Sequence, residues 1–391
     1  MPNLGTYDIA IVGGGIVGCS SAFALMRRGL RVALVERGAI AGGTTSNSFA
    51  WVNATSKTTD EDYHRLNARG QEGYRALAVE FGEHNIGLNR CGMLRWASKG
   101  DAARYNPLRE QFERLRAYDY PAEWIGARTL QRLEPRMAFP GDAEAIFALA
   151  DPCLDAAKFT RFLAEQIRRG GGQVFEHCPA RELVMDDDGA VTGLETEQGR
   201  IEARRVLVAA GPDTAAVMSE LTGFAGFANH IPVQRVPGLL VSTPSTAPAE
   251  LIRHVIYADC DPEVHLLPLP NGGIKIGADD TDGLASADEQ DPDRIRDGAR
   301  QLLERARRLL PGFPGPAVLD ACHVGIGIRP YPSDGKTLAG AWPGSEGLYV
   351  VATHSGVTLS PAVSELMAEL ITTGEVPAAL APFGWERLEG F

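Results

Sequence analysis

Residues 7–37, YDIAIVGGGIVGCSSAFALMRRGLRVALVER, constrain this chain more than any other stretch. Residues 7–12 are an apolar run of strand length, and Gly13, Gly15 and Gly18 then make a G-x-G-x-x-G turn. Apolar residues recur at helical spacing from Ile16 to Arg28, Gly29 stops the pattern, and residues 30–35 form a second apolar strand ending at Glu36. The order reads as one βαβ unit. Gly13 permits the tight turn, Gly15 lets backbone approach a pyrophosphate, and Gly18 lets helix and sheet pack closely. The helix start at Ile16 and Val17 offers free N–H groups and a positive dipole end to phosphates. Glu36, 18 residues past Gly18, is placed to accept from ribose hydroxyls, and an acid there favours an unphosphorylated 2′-OH. The bland alternative is a glycine-rich turn that binds nothing.

A chain of 391 residues is too long for one small core, and two domains are expected. A net charge of −12 argues against a nucleic-acid-binding surface, which is normally basic. No stretch approaches the ~20 apolar residues that span a bilayer, and residues 1–6 are too short for a signal peptide. The six cysteines are scattered without a C-x-x-C pair, so disulfides and a cysteine zinc site are not expected, and each reads as a small buried apolar residue. These points suggest a cytoplasmic protein without a transmembrane segment.

Residues 47–53, NSFAWVN, mix amides and aromatics and read either as a packed loop or as a segment beside a bound ring. Residues 60–81 form a helix with Tyr63, Leu66, Tyr74 and Leu77 as its apolar stripe. From 87 the βαβ pattern gives way to strands at 92–97 and 146–149 and helices at 108–117 and 127–133. Residues 155–169 are a helix followed by the strand 173–176, which contains Val174. A meander at 180–186, 190–197 and 199–204 then leads to a buried strand, 206–209, ending at Ala210 and Gly211. Residues 239–242, 254–257, 264–269 and 274–278 are strand-like, the last two joined by a Pro-Asn-Gly-Gly turn. Residues 292–310 are an Arg-rich helix whose arginines read as a solvated face. The chain closes with the strand 348–352, a turn at His354-Ser355-Gly356 and a helix ending at Gly374, with Pro361 suited to its first turn.

The opening unit and its continuation, Arg37 through Gly43, Thr44, Thr45 and Ser46, resemble the glutathione-reductase-like flavoproteins. The resemblance implies FAD, with the small-residue run lying along the ribityl chain and flavin. Over nearly the whole chain, and most clearly in residues 325–365 with Gly327-Ile328-Arg329-Pro330 and Asp334-Gly335, the sequence resembles the D-amino-acid oxidase family. That family includes glycine oxidase, monomeric sarcosine oxidase and D-amino-acid dehydrogenases. It implies an α/β fold, an FAD-binding Rossmann-like domain (1–86, 150–223, 322–391) interrupted by a substrate domain with a mainly antiparallel sheet (87–149, 224–321).

The resemblance also implies roles. Arg329 takes the place of the arginine that clamps substrate carboxylate, for which a planar guanidinium fork is suited; the alternative is an arginine bridging two domains. Lys275 matches the lysine held near the flavin N5 for oxygen activation, or is an exposed hairpin lysine. His354 contacts substrate or flavin, or packs at a strand end. Val174, Ala210, Gly211, Gly327, Ser355, Gly356, Val357 and Thr358 complete the cofactor contacts, the last helix pointing its positive end at the ring. Monomeric sarcosine oxidases tether FAD through a cysteine seven residues before the aspartate of the Asp-Gly string; that position here is Gly327, so non-covalent FAD is expected, with Cys322 structural. The expected activity is oxidation of the C–N bond of a small amino acid or N-alkyl or cyclic amino acid to an imine. Electrons would pass to oxygen or to a quinone or carrier. Three rivals remain: the flavin subunit of a hetero-oligomeric dehydrogenase, a tRNA-modifying flavoprotein oxidase, and a redox-sensing scaffold without turnover.

Overall fold

The computed structural model describes residues 2–222, 233–245, 250–286 and 290–388. A six-stranded sheet runs Leu338–Ala341, Leu348–Ala352, Val206–Val208, Ile9–Val12, Val32–Val35, Gln173–Phe175. Its pairings are parallel except that of Leu338–Ala341 with Leu348–Ala352. Strands Ile9–Val12 and Val32–Val35 are buried at every position, which is why they read as unbroken apolar runs. The helix Ile16–Arg27 packs between Ala156–Arg169 and the final helix Gly356–Thr373. The helix Glu61–Phe81, capped by the Asp60 carboxylate accepting from Tyr63 N, lies on Gly356–Thr373. Two glycines allow that contact: a Cβ on Gly70 would stand 2.1 Å from Thr358 O, and one on Gly73 would stand 2.5 Å from Pro361 Cβ.

An eight-stranded sheet runs His323–Pro332, Val233–Ser242, Ile274–Gly277, Val264–Pro268, Val255–Ala258, Met93–Ser98, Ala143–Ala148, Glu123–Gly126. Val255–Ala258 pairs parallel with Met93–Ser98, and the other pairings are antiparallel. The register gives the sheet two unlike sides. Leu239, Val241, Leu266, Ile274 and Ile276 face the helix Pro292–Leu309, where Ala299, Leu302, Leu303 and Ala306 meet them in a buried core. The opposite side carries the polar residues treated below. A third sheet of four strands joins the meander to Asn3–Tyr7.

Five readings change. Residues 7–12 are not one strand: Asn3–Tyr7 pairs with Gly199–Ala203 in the small sheet, and the chain turns at Asp8 into Ile9–Val12. Strands at Leu338–Ala341 and Glu123–Gly126 were not expected, and the strand at 239–242 extends back to Val233. His323–Pro332 is a ten-residue strand of the large sheet, so sheet membership crosses the division expected at 322; the division expected between 223 and 224 lies outside the described residues. Arg305 is not on a solvated face: it is 9% exposed and pairs with Asp280 at 2.5 Å. Pro361 is the sixth residue of its helix rather than in the first turn. The Val357 carbonyl that Pro361 cannot bond accepts from the Tyr74 hydroxyl at 2.6 Å.

Candidate active site

The βαβ turn closes by backbone contact. Gly13 has φ +117°, a Cβ there would stand 2.4 Å from Ala209 O, and one on Gly18 would stand 1.9 Å from Gly13 O. Gly15 differs: its φ is −77° and a Cβ would meet only Thr45 Oγ1, at 3.4 Å. Packing therefore explains Gly13 and Gly18, while Gly15 keeps clear the space before the helix start. Gly43 is similar, since a Cβ there would have no atom within 4 Å. The Glu36 carboxylate accepts from Gly14 N at 2.6 Å and Gly38 N at 2.7 Å, which fixes it at the strand end with lone pairs to spare. Ile16 N donates to Thr45 Oγ1 at 3.1 Å. Val17 Cγ2 would lie 3.3 Å from a Cβ on Gly356, so the N-termini of the first and last long helices converge. Val174 pairs with Leu34 behind Glu36. Arg37 reaches Asp213, beside Gly211, at 2.5 Å.

The segment after Gly43 leaves this turn and crosses the open side of the large sheet. Thr44 Oγ1 donates to Ile328 O at 2.6 Å, and Ser46 Oγ donates to Ala41 O at 2.7 Å. A Cβ on Gly327 would stand 2.1 Å from Asn47 O, and one on Gly325 would stand 2.6 Å from Asn47 Oδ1. The Phe49 ring meets His265 at 6.2 Å, and Trp51 meets Tyr257 at 5.9 Å. Residues 47–53 are thus packed, and packed on the polar side of the sheet. Gly327, expected at the cofactor, owes its lack of a side chain to this crossing.

Register places Arg329, Lys275, His265, Tyr257 and Arg95 on that same side. Lys275 Nζ donates to Ser48 O at 2.7 Å, and burial lowers its pKa, opposed by Asp155 and Cys153. It is not an exposed hairpin lysine. It lines a cavity of about 220 Å³ with Thr45, Ser46, Ser48, Cys153 and Asp155. Arg329 donates to Asp282 Oδ2 at 2.5 Å and to Pro237 O at 3.1 Å, while its Nε is buried without a partner among the described residues. Burial pushes the Asp282 carboxyl up to about 6 against the pull of Arg329.

His354 stacks near Tyr331, ring centroids 4.5 Å apart, and its Nε2 lies 3.4 Å from Lys57 Nζ. Burial, Lys57 and Arg329 push His354 down to about 3. Lys57 is pushed down to about 8, chiefly by burial and against the attraction of Asp279. Sequence reasoning passed over Lys57, which stands in a polar Thr-Ser-Lys-Thr-Thr stretch with no spacing to mark it. Ser355 Oγ accepts from the Tyr63 hydroxyl at 2.9 Å, and Thr358 Oγ1 accepts from Asn53 N at 2.9 Å. These bonds hold the last helix start against the helix Glu61–Phe81 and against the crossing segment.

Comparison with known proteins decides the class. The description of the FAD-dependent oxidoreductases known as DAO matches residues 8–370. The chain belongs to the DAO family. It is 29% identical to glycine oxidase of Geobacillus kaustophilus over 387 residues, covering 97% of each chain. It is 26% identical to glycine oxidase of Bacillus licheniformis over 391 residues, covering 98% of each. The crystal structure of the Geobacillus kaustophilus enzyme superposes with TM-score 0.81 at 25% identity, covering 98% of this chain and 100% of that one. The fold class and family expected from the sequence are both borne out, and the chain is an FAD-dependent oxidoreductase. DAO membership implies FAD, and the residues fit it: Gly15 and Gly43 leave room that no internal packing requires, Glu36 is fixed beside that room, and two helix N-termini converge there. No helix among the described residues is long and apolar enough to cross a membrane.

Proposed function

We propose that this chain oxidises the C–N bond of a small amino acid, or of an N-alkyl or cyclic amino acid, to an imine, holding FAD without a covalent bond. FAD, when bound, supplies the hydride acceptor and the route by which electrons leave. The observation that carries the reading is the buried, unpartnered Nε of Arg329 on the sheet side that also presents Lys275. Asp282 and Pro237 O both hold Nη2 of this guanidinium, which leaves Nε to donate to an oxygen of an incoming carboxylate. Lys57 adds a second cation near this site. The neutral His354 ring accepts from Lys57 at Nε2 and so carries its proton on Nδ1, which is buried without a partner. Phe49 and Trp51 pack on His265 and Tyr257 of the same face.

Lys275 supports electron transfer to oxygen, since a buried ammonium stabilises developing negative charge; a quinone or carrier is the other acceptor. Non-covalent attachment is supported by Cys322, which packs on the helix side of the sheet and donates to Val318 O at 3.2 Å. The six free cysteines support a reducing, cytoplasmic compartment. The test is anaerobic mixing of the FAD-loaded chain with D-, N-methyl and cyclic amino acids while following flavin absorbance. Bleaching by at least one carboxylated amine is expected, and no bleaching by any would overturn the proposal.

A further inference from the structure

The sulfurs of Cys91 and Cys153 stand 3.5 Å apart, and both residues are buried, 9% and 3% exposed. The short strand Leu88–Asn89 pairs antiparallel with Cys153–Leu154, and Cys91 follows it by two residues in the connection to Met93–Ser98. Cys153 also bridges to Trp51 of the crossing segment and lines the Lys275 cavity. The pair is thus adjacent in space and joined to the active-site wall, and its Cys153 member lines a cavity that a small molecule can enter. Contact between the two thiols lowers the pKa of Cys91 against the effect of burial.

We propose that Cys91 and Cys153 form a redox modification site, a dithiol that a small peroxide converts reversibly to a disulfide. One sulfur of the pair attacks one peroxide oxygen, breaking the O–O bond and releasing water to leave a sulfenic acid. The other sulfur then attacks that sulfur, the S–O bond breaks, and a second water leaves. Two thiols lose two protons and two electrons, and one peroxide becomes two waters. The sulfurs must close to about 2.05 Å. Cys91 sits in a connection rather than within a sheet, so a local shift suffices. The bond would fasten residues 90–92 to the strand that walls the Lys275 cavity, tying thiol state to the setting of Lys275. The chemistry needs no turnover of an amine, so it stands or falls apart from the proposed activity.

The experiment treats the FAD-loaded full chain with hydrogen peroxide in molar excess, alkylates it with iodoacetamide, and maps thiols by peptide mass spectrometry. The expected result is a Cys91–Cys153 crosslinked peptide 2 Da below the sum of its parts, loss of these two from the six alkylatable thiols of the denatured chain, and full recovery with dithiothreitol. Cys260 and Cys322, both more exposed, serve as internal controls. Oxidation at Cys260 or Cys322 while Cys91 and Cys153 remain alkylated overturns the proposal. So does a stable sulfinic acid at either residue without a bridge. Cys91→Ser and Cys153→Ser should each abolish the crosslink, and the wild-type mass map decides the matter if a variant fails to fold.

Discussion

At the scale of single residues, the site rests on two buried lysines, Lys57 and Lys275, and on a partly exposed arginine, Arg329. Arg329→Met takes away a half-exposed guanidinium whose Nε is buried, and KM for carboxylated substrates should rise about 100-fold, the few kcal/mol typical of a lost charged hydrogen bond. Steady-state kinetics checks this, and an unchanged KM removes Arg329 from carboxylate binding. Lys57 brings a pH dependence. Its ammonium pKa falls from 10.5 to about 8, so its charge is present below pH 8 and lost above it. Carboxylate affinity should weaken as pH rises through about 8, and Lys57→Met should flatten that limb of the KM profile. The stability effect has the opposite sense. Between about pH 8 and 10.5 the unfolded chain binds more protons than the folded one, so this lysine's contribution to stability rises with pH. Lys275→Met should slow reoxidation of the reduced flavin by oxygen about 100-fold while leaving anaerobic reduction intact, as loss of a charge-stabilising group does. Stopped-flow absorbance separates the two half-reactions. Equal slowing of both would place Lys275 in substrate handling instead.

Elements set where these residues stand. A period of two along these strands sends Leu239, Val241, Leu266, Ile274 and Ile276 to the helix side and Lys275, Gly277, Gly325, Gly327 and Arg329 to the other. Glycines 325 and 327 bring the crossing segment onto that side, and its far end is tied to the last helix through Asn53 and Thr358. That helix holds a proline in its interior because Tyr74 supplies the missing donor to Val357. Tyr74→Phe leaves this carbonyl buried with only a 3.5 Å contact from Ser360 Oγ, and should cost about 1–3 kcal/mol. Urea unfolding measures the loss; a midpoint shift too small to resolve would mean that the helix repairs itself. The Gly-Ile-Arg-Pro string was recognisable as family-like, but its strand was not foreseen, since Gly325, Gly327 and Pro330 are weak strand formers. Only pairing with Val233–Ser242 along its full length makes it one.

At the scale of the whole molecule, an acidic chain of net charge −12 should not bind tRNA at physiological salt, and filter binding at 150 mM salt (a Debye length of about 8 Å) checks this. Expressed alone, it should retain FAD and be reduced by an amine; a requirement for a second chain in that assay would favour the hetero-oligomeric reading. The sequence by itself determined the nucleotide-binding unit, because a strand, a glycine turn and a helix contact one another within some thirty residues and every one leaves a local signature. It also determined the family, through strings that outlast divergence. Tertiary structure alone decided that Arg329 and Lys275, from strands far apart in the chain, face one way, that Lys57 lies against His354, and that Cys91 meets Cys153. Those contacts depend on strand register and on a segment lying across a sheet. Neither has a period or spacing that can be read along the chain, because each arises from which non-local surfaces bury one another.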